Sequence, residues 1–169
     1  IEKGDTIERV TIERVGESAN NFATGEEAFN AALALKSLAL KGLQEKQQQT
    51  FRETVVAAFP GAQQNDSGYF SLTTQAGTGK QAKAGNNISL EVTIELIDGR
   101  VLQASGKPVQ FRLSNGEILG VIDDTALNMT LGEVRLAITT YQQAFGSRDM
   151  GIPMDSILVF KLKRLSNGE

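Results

Sequence analysis

Three residue types are missing from this chain of 169 residues: histidine, cysteine and tryptophan. Without histidine or cysteine, the usual ligands of a structural zinc site are absent, and we expect no metal or other cofactor. Thiol redox chemistry and the Cys–His and Ser–His catalytic pairs are excluded for the same reason. Carboxylates could still bind calcium, but the acidic residues do not follow EF-hand spacing. An enzyme with this sequence must therefore work without the usual acid and base of neutral pH.

Long apolar runs and basic clusters are missing too. No apolar stretch approaches membrane-spanning length, and Lys and Arg are spread along a chain of net charge −3. We therefore expect neither a membrane segment nor a nucleic-acid partner. The lack of cysteine fits a reducing compartment and a cell envelope equally, so the compartment stays open. A start at Ile1 without a signal-like segment predicts a mature or shortened chain whose upstream part is missing.

The first sixty residues show two different periodicities. Residues 5–16 alternate apolar and charged residues, which predicts a strand. Thr24-Gly-Glu-Glu27 then has the spacing of a helix capping box. The apolar residues that follow share one helical face, and Pro60-Gly61 ends the pattern, so we predict a long or broken helix over 25–59. This helix either packs on its own domain or is an arm for dimerisation or partner docking.

The remaining sequence is rich in strand signals. The clearest is Ile88–Leu96, where apolar residues alternate and Asp98-Gly99 follows as a hairpin turn. Further strands are predicted at Tyr69–Gln75, Val109–Leu113, Val134–Thr139 and Ile157–Leu165. One short stretch with helical spacing lies between Glu117 and Met129. Many strands and one short helix predict an antiparallel α+β domain.

Two motifs suggest chemistry that their spacing does not support. Gly77-Thr-Gly-Lys80 has one residue between its glycines where a phosphate loop has four, and Gln81 follows the lysine. We interpret it as a turn between strands. Asp123 and Asp124 could form a catalytic or metal pair, but neighbouring helical residues point about 100° apart. We place both in the first turn of the short helix, where its dipole favours acids.

The order of signals from about Ser67 to Leu165 resembles one known family. The matching segments are Ser67-Gly-Tyr-Phe70, Gly77-Thr-Gly79, Gly85, ISLEVTIELIDG at 88–99, Ser105, Lys107-Pro-Val-Gln-Phe111, Met129-Thr-Leu-Gly132 with Glu133, Ala144-Phe-Gly146, Gly151-Ile-Pro153 and Ile157-Leu-Val-Phe160. In this order and spacing they resemble the FKBP-type peptidyl-prolyl cis-trans isomerases. The resemblance implies a twisted antiparallel sheet wrapped around one short helix. It also implies rotamase (isomerase) activity on Xaa–Pro bonds of polypeptides. A protein with this activity would assist protein folding as a chaperone.

The resemblance also implies which residues form the proline pocket. Leu119 supplies the backbone N–H that binds the substrate carbonyl, and Phe145 takes the place of the family's loop tyrosine; these two are the expected catalytic residues. The expected substrate-binding residues are Val92, Leu102, Gln103, Val109, Ile118, Leu119, Ile122, Phe145, Ile152 and Phe160.

Several of these positions depart from the family pattern. Val92, Leu102, Val109 and Ile122 stand where the family has aromatic rings, and Gln103 replaces a carboxylate. Phe145 keeps its ring but lacks the hydroxyl. Fewer flat surfaces for the proline ring predict weak isomerase activity. The alternative is a non-catalytic FKBP-like module that binds peptides or dimerises.

The first segment resembles a second isomerase family. Gly4-Asp5, Val10-x-Ile12-x-Arg14-Val-Gly16, Ala19 and Phe22 are similar to the end of a cyclophilin-type isomerase. Some bacterial proteins fuse a cyclophilin to an FKBP domain, and this chain would contain the junction. We therefore expect three parts: a strand and tail over 1–23, a helical linker or arm over 24–66, and an FKBP-like domain over 67–169.

Overall fold

A computed structural model describes residues 25–167 and, before them, Thr6, Arg9, Thr11, Glu13 and 15–20. The chain divides into two compact units, Ile1–Lys46 and Gln47–Glu169. No helix in the described ranges is long and apolar enough to cross a membrane.

The first unit contains helix α1, Glu17–Asn20, and the beginning of helix α2, Glu26–Ala58, which ends in the second unit. The predicted helix over 25–59 is confirmed as a single continuous helix. Its apolar side chains within the first unit are largely exposed; they are Phe29, Leu33, Leu35, Leu38, Leu40 and Leu43. Thr24 and most of the apolar residues of the predicted strand over 5–16 lie outside the described residues. The described residues of that segment, from Thr6 to Val15, are in no strand.

The second unit is built around an antiparallel sheet, to which the described residues contribute seven strands. The strands are β1 Gln63–Gln64, β2 Phe70–Gln75, β3 Asn87–Leu96, β4 Val101–Gln103, β5 Val109–Arg112, β6 Val134–Thr140 and β7 Ile157–Asn167. Their order is β1-β2-β6-β7-β3-β4, with β5 also paired to β3. The five predicted strands are thus present within a residue or two of their expected ends, and β1 and β4 are additional.

The central strand β3 has the alternation that its sequence predicts. Leu90, Val92, Ile94 and Leu96 are buried, and the residues between them are half-buried. Asp98-Gly99 turns the chain back into β4: Gly99 has φ +86°, and its N–H donates to the carbonyl of Leu96 at 2.9 Å. A left-handed residue at this position favours glycine, which explains the Asp-Gly pair.

Each face of the sheet has its own core. On one face the last turns of α2 bury Phe51 and Val55 against Phe70, Leu136, Ile138 and Val159. The rings of Phe51 and Phe70 meet edge to face, with centroids 5.6 Å apart. On the other face a larger cluster packs against helix α3, Gly120–Ala126. Strand β7 serves both cores because its side chains alternate, with Val159 on one face and Leu158 and Phe160 on the other.

The expected α+β class, a sheet packed on a short helix after a long N-terminal helix, is confirmed. A further short helix, α4 at Tyr141–Phe145, follows β6 directly and was not predicted. Of the two acids expected in the first turn of α3, Asp123 lies there and Asp124 lies beyond it. The Asp123 carboxylate accepts the backbone N–H of Ser114 at 2.8 Å. Gly77–Lys80 belongs to the loop between β2 and β3, where Thr78 forms an isolated bridge with Leu131.

Candidate functional site

The cluster between the sheet and α3 contains eight of the ten residues that the sequence assigned to a proline pocket. They come from five parts of the second unit: strands β3, β4 and β7, helix α3 with the residues before it, and the segment from α4 to β7. Residues distant in sequence therefore meet on one face of the sheet. The eight are Val92, Leu102, Ile118, Leu119, Ile122, Phe145, Ile152 and Phe160.

Burial divides these residues into a floor and a rim. Val92, Ile122 and Phe160 form the floor, with 6%, 4% and 0% of their surface exposed. The rim consists of half-buried side chains that pack against this floor; they are Leu102, Ile118, Leu119, Phe145 and Ile152. The arrangement is an apolar patch with a dry base and accessible edges. It contains no titratable group, so any chemistry it performs must be non-covalent.

Gln103 and Val109 lie outside this cluster. The pairing of β3 with β4 shifts register between Ile94 and Glu95, so that Gln103 lies opposite Ile94 and Val101 opposite Glu95. Leu102 is therefore the extra residue of a bulge, and it packs on the cluster while Gln103 is exposed. Val109 pairs with Leu90 at the start of β5 and is 38% exposed.

Leu119 presents a backbone donor at the edge of the patch. It is the N-cap residue of α3, with φ −55° and ψ 133°, and its carbonyl accepts the N–H groups of Ile122 and Asp123. Its own N–H donates to no other group in the described part of the chain. A free amide at a helix N-terminus is suited to bind a carbonyl oxygen, because the helix dipole adds to the field of the N–H group.

Phe145 takes part in a row of three aromatic rings. Its centroid is 5.4 Å from that of Tyr141, in an edge-to-face arrangement, and 6.4 Å from that of Phe160 in the floor. Tyr141 and Phe145 are four residues apart on α4 and so lie on the same side of the helix. The row fixes the Phe145 ring over the floor without help from the missing tyrosine hydroxyl.

Tyr141 was not predicted as part of the site. Its side chain is fully buried; the hydroxyl donates to the carbonyl of Arg148 and accepts the N–H of Met150 at 2.9 Å. These bonds hold the loop that leads to Ile152. The signal was present in the sequence: Thr140 and Gln143 have capping-box spacing, and the Thr140 hydroxyl accepts the Gln143 N–H at 3.3 Å.

A partly buried ion pair supports the C-terminal end of α3. Arg135 on β6 bonds the Glu133 carboxylate at 2.5 Å, and its Nη1 donates to the carbonyls of Thr125 and Leu127 at 3.0 and 3.2 Å. The guanidinium thus caps the last turn of the helix, where a positive charge is favourable. Burial alone would raise the pKa of Glu133, but the Thr130 N–H and Arg135 together outweigh it and lower that pKa.

No group of three or more His, Cys, Asp or Glu within the described ranges is arranged to hold a metal ion. The patch itself offers apolar contacts, aromatic rings and one backbone donor. These groups are suited to contact an extended peptide and a small apolar ring, and none of them is an acid or base for proton transfer.

Comparison with known proteins gives the same picture of the second unit. A family model described as FKBP-type peptidyl-prolyl cis-trans isomerase matches residues 78–164. FK506-binding protein 4 of Mycosarcoma maydis is 33% identical over 100 residues, which cover 57% of this chain and 27% of that protein. The chain thus spans only about a quarter of that relative's length.

Solved structures extend the comparison to the fold. The crystal structure of AtFKBP13 matches with a TM-score of 0.56 and 25% identity, covering 63% of this chain and 98% of that one. FkpA from Escherichia coli matches with a TM-score of 0.55 and 20% identity over 89% of this chain and 76% of that one, a likeness of fold alone. The family model covers just over half of the sequence. This chain therefore belongs to the FKBP-type peptidyl-prolyl cis-trans isomerase family.

Proposed function

We propose that this chain catalyses the cis–trans isomerisation of Xaa–Pro bonds in polypeptides, at the apolar patch between the sheet and α3, without a cofactor. The observation that carries the proposal is the meeting of a free Leu119 N–H with a dry apolar floor and the Phe145 ring. We expect the proline ring to lie on Ile122 and Phe160, with Phe145 and Ile152 closing over it.

The chemistry suits a patch without titratable groups. Rotation about an Xaa–Pro bond is opposed by amide conjugation, with a barrier of roughly 18–20 kcal/mol. An apolar cavity favours the twisted amide, which is less polar than the planar one, and the Leu119 N–H binds the carbonyl oxygen of the substrate. Lowering the barrier by about 7–8 kcal/mol would accelerate rotation by about 10⁵–10⁶.

We expect this chain to fall short of such acceleration. Ile122 offers the proline ring a smaller and less flat surface than an aromatic floor. Phe145 cannot donate the hydrogen bond of a tyrosine hydroxyl, worth about 0.5–1.5 kcal/mol. The exposed positions of Gln103 and Val109 add little contact unless substrate binding draws them inward.

The direct test is two-dimensional NMR exchange on a short Xaa–Pro peptide with catalytic amounts of the chain. Exchange between the cis and trans signals faster than in the peptide alone is the expected result. Exchange at the background rate, with the protein folded, would refute the catalytic proposal.

The alternative is a non-catalytic module that binds polypeptides. The support for it is the burial of the floor, since Val92, Ile122 and Phe160 expose 6% or less of their surface. In that case the same peptide would shift the amide signals of Leu119 and Phe145 without any gain in exchange rate.

We further propose that helix 25–59 acts as a homodimerisation or docking arm. The support is its exposed leucines: Leu33, Leu40 and Leu43 expose 53%, 51% and 54% of their surface. If the chain dimerises through these leucines, Leu33→Gln with Leu40→Gln should lower its mass in sedimentation from that of a dimer towards that of a monomer. Val56→Gln, also at an exposed apolar position of α2, should leave the mass unchanged. Equal masses for all three proteins would contradict homodimerisation through this helix.

The division into 1–23, 24–66 and 67–169, with a cyclophilin end in the first part, remains a proposal. Its support is the sequence pattern from Gly4 to Phe22. The relative at 33% identity is fungal, so a bacterial source rests on that pattern alone. Reading the gene upstream of Ile1 tests the idea: a cyclophilin pattern there supports it, and any other sequence refutes it.

A further inference from the structure

A positively charged cleft lies outside the proline patch. Its volume is about 1080 Å³, and it is lined by the loop between β2 and β3 together with single residues from four other segments. The lining consists of Lys80, Gln81, Lys83, Gly85, Asn86, Asn87, Arg112, Leu131 and Arg164. Four of these residues are cationic, on a chain whose net charge is −3. The described lining includes neither a carboxylate nor an aromatic ring.

Three of the four cations are available to a ligand. Lys80, Lys83 and Arg112 are exposed. Arg112 Nε donates to the carbonyl of Gly85 at 3.1 Å, which fixes the guanidinium at the wall of the cleft. The Nη groups of Arg112 and the Nζ groups of both lysines have no hydrogen-bond or ion-pair partner within the described part of the chain. Like charges held close together repel one another, and an anion would relieve that repulsion.

The fourth cation is part of the structure beneath the cleft. Arg164 is 2% exposed, and its Nη1 donates to the carbonyls of Lys80, at 3.1 Å, and of Met129. Burial lowers the pKa of Arg164, and the Glu133 carboxylate opposes this change. That carboxylate also bonds Arg135 and the Thr130 N–H, so one negative charge lies near two guanidinium groups. The positive field of Arg164 therefore adds to that of the exposed cations.

An acid near Arg112, Glu117, uses its carboxylate for other hydrogen bonds. Glu117 accepts the backbone N–H of Arg112 at 3.1 Å and the side-chain amide of Asn115 at 2.6 Å. It forms no ion pair with the guanidinium within the described residues. Asn86 uses its side-chain oxygen to accept the Lys83 N–H at 2.9 Å, which leaves its NH₂ group as a donor beside the lysines.

We propose that this cleft binds a compact polyanion carrying two or more phosphate or sulfate groups. Each such group has several acceptor oxygens and can satisfy more of these donors than a single carboxylate can. The lack of aromatic rings disfavours single-stranded nucleic acid, whose bases stack on such rings. Lys80 ends the Gly-Thr-Gly-Lys segment, which is not a phosphate loop because it precedes no helix, yet places its lysine in this cleft.

Calorimetric titration of the full chain with tripolyphosphate, at about 50 mM salt, tests the site. We expect one ligand per chain, a Kd that rises with salt, and weaker binding of inorganic phosphate. Lys80→Gln with Lys83→Gln should raise the Kd about tenfold or more, because two charged contacts are lost. The matched control is Lys161→Gln with Lys163→Gln, two exposed lysines on β7 outside the cleft, which should change the Kd less than about twofold.

Three results would overturn the proposal: no binding of tripolyphosphate by the unaltered chain, an equal loss in both double variants, or equal affinity for a hexaglutamate peptide. Backbone NMR provides a second readout, since the amide signals of Gly85, Asn86 and Asn87 should shift on titration. Phosphatidylcholine vesicles with and without a polyphosphoinositide identify the source of the phosphate groups. Co-sedimentation only with the phosphoinositide vesicles indicates a lipid headgroup, and tripolyphosphate binding without it indicates a free polyanion.

Discussion

Tyr141 ties Met150 to helix α4: its buried hydroxyl accepts the Met150 backbone N–H at 2.9 Å while donating to the carbonyl of Arg148. The loop so held carries Ile152 to the rim of the apolar patch. The ring of the same tyrosine contacts Phe145 edge to face. Tyr141 thus positions two residues, Phe145 and Ile152, that we propose to contact the substrate.

Tyr141→Phe should weaken catalysis more than it weakens the fold. The ring and its contact with Phe145 remain, but the loop loses two hydrogen bonds. Because Arg148 and Met150 are exposed, water can replace those bonds, and we expect a stability loss of only about 1 kcal/mol. The kcat/KM for an Xaa–Pro peptide should fall about three- to tenfold as the rim loosens.

Tyr69→Phe is the matched control for that change. Tyr69 is also buried, and its hydroxyl accepts from Thr125 at 3.4 Å, away from the loop. Chymotrypsin-coupled assays of both variants, with urea unfolding of each, separate the two effects. An unchanged kcat/KM for Tyr141→Phe, or an equal fall in both variants, would contradict the positioning role.

Glu133→Gln should make the free energy of unfolding depend less on pH in the acidic range. The pKa of Glu133 is lowered in the folded chain, so its carboxylate stabilises the fold above the unfolded pKa of about 4.5. This contribution is lost as the pH falls through the lowered folded value. At pH 7 we expect the variant to be less stable by about 1–3 kcal/mol, with the difference shrinking below about pH 4.

Glu91→Gln provides the comparison, since Glu91 forms an exposed ion pair with Lys163 at 3.8 Å. Exposed pairs contribute about 0–1 kcal/mol, so this variant should differ little from the unaltered chain at any pH. Urea unfolding from pH 3 to 8 measures both. A Glu133→Gln deficit that stays constant over that range would show that the loss is not electrostatic.

Gly77→Ala should destabilise the second unit by about 2 kcal/mol or more. A Cβ at this position would lie 2.6 Å from the Glu133 nitrogen and closer still to the Leu131 carbonyl oxygen, and backbone atoms cannot move aside cheaply. Gly106→Ala, with nothing within 4 Å of its added Cβ, should cost much less. Equal unfolding midpoints for the two variants would contradict this packing.

The sequence predicted the strands whose position is determined mainly by burial of one face. The alternation of apolar residues was sufficient to predict β3, because a strand with one face in a core must place every second side chain there. The helix over 25–59 was found from its periodicity, but only Phe51 and Val55 of its apolar residues are fully buried. The periodicity of apolar residues identifies a helix face that could be buried, but it does not identify the element that packs against that face.

The site was predicted less completely, for physical reasons that differ between residues. Leu102 and Gln103 were expected to line the pocket together, but a bulge in β4 separates them, and no local pattern marks a register shift. Tyr141 was overlooked because its role depends on a hydrogen bond to a loop seven to nine residues away. The Leu119 N–H was expected from the family resemblance, but only the structure shows that it donates to no other described group.

The central claim is that the apolar patch accelerates Xaa–Pro rotation, and NMR exchange with Phe145→Ala beside Phe59→Ala tests it most directly. Both changes remove a half-buried phenylalanine, one from the patch and one from the core on the opposite face of the sheet. We predict that Phe145→Ala lowers the exchange rate towards that of the free peptide. Under conditions in which the Phe59→Ala protein is folded, we expect it to show the same exchange rate as the unaltered chain. Equal rates in the unaltered chain and Phe145→Ala would contradict the account.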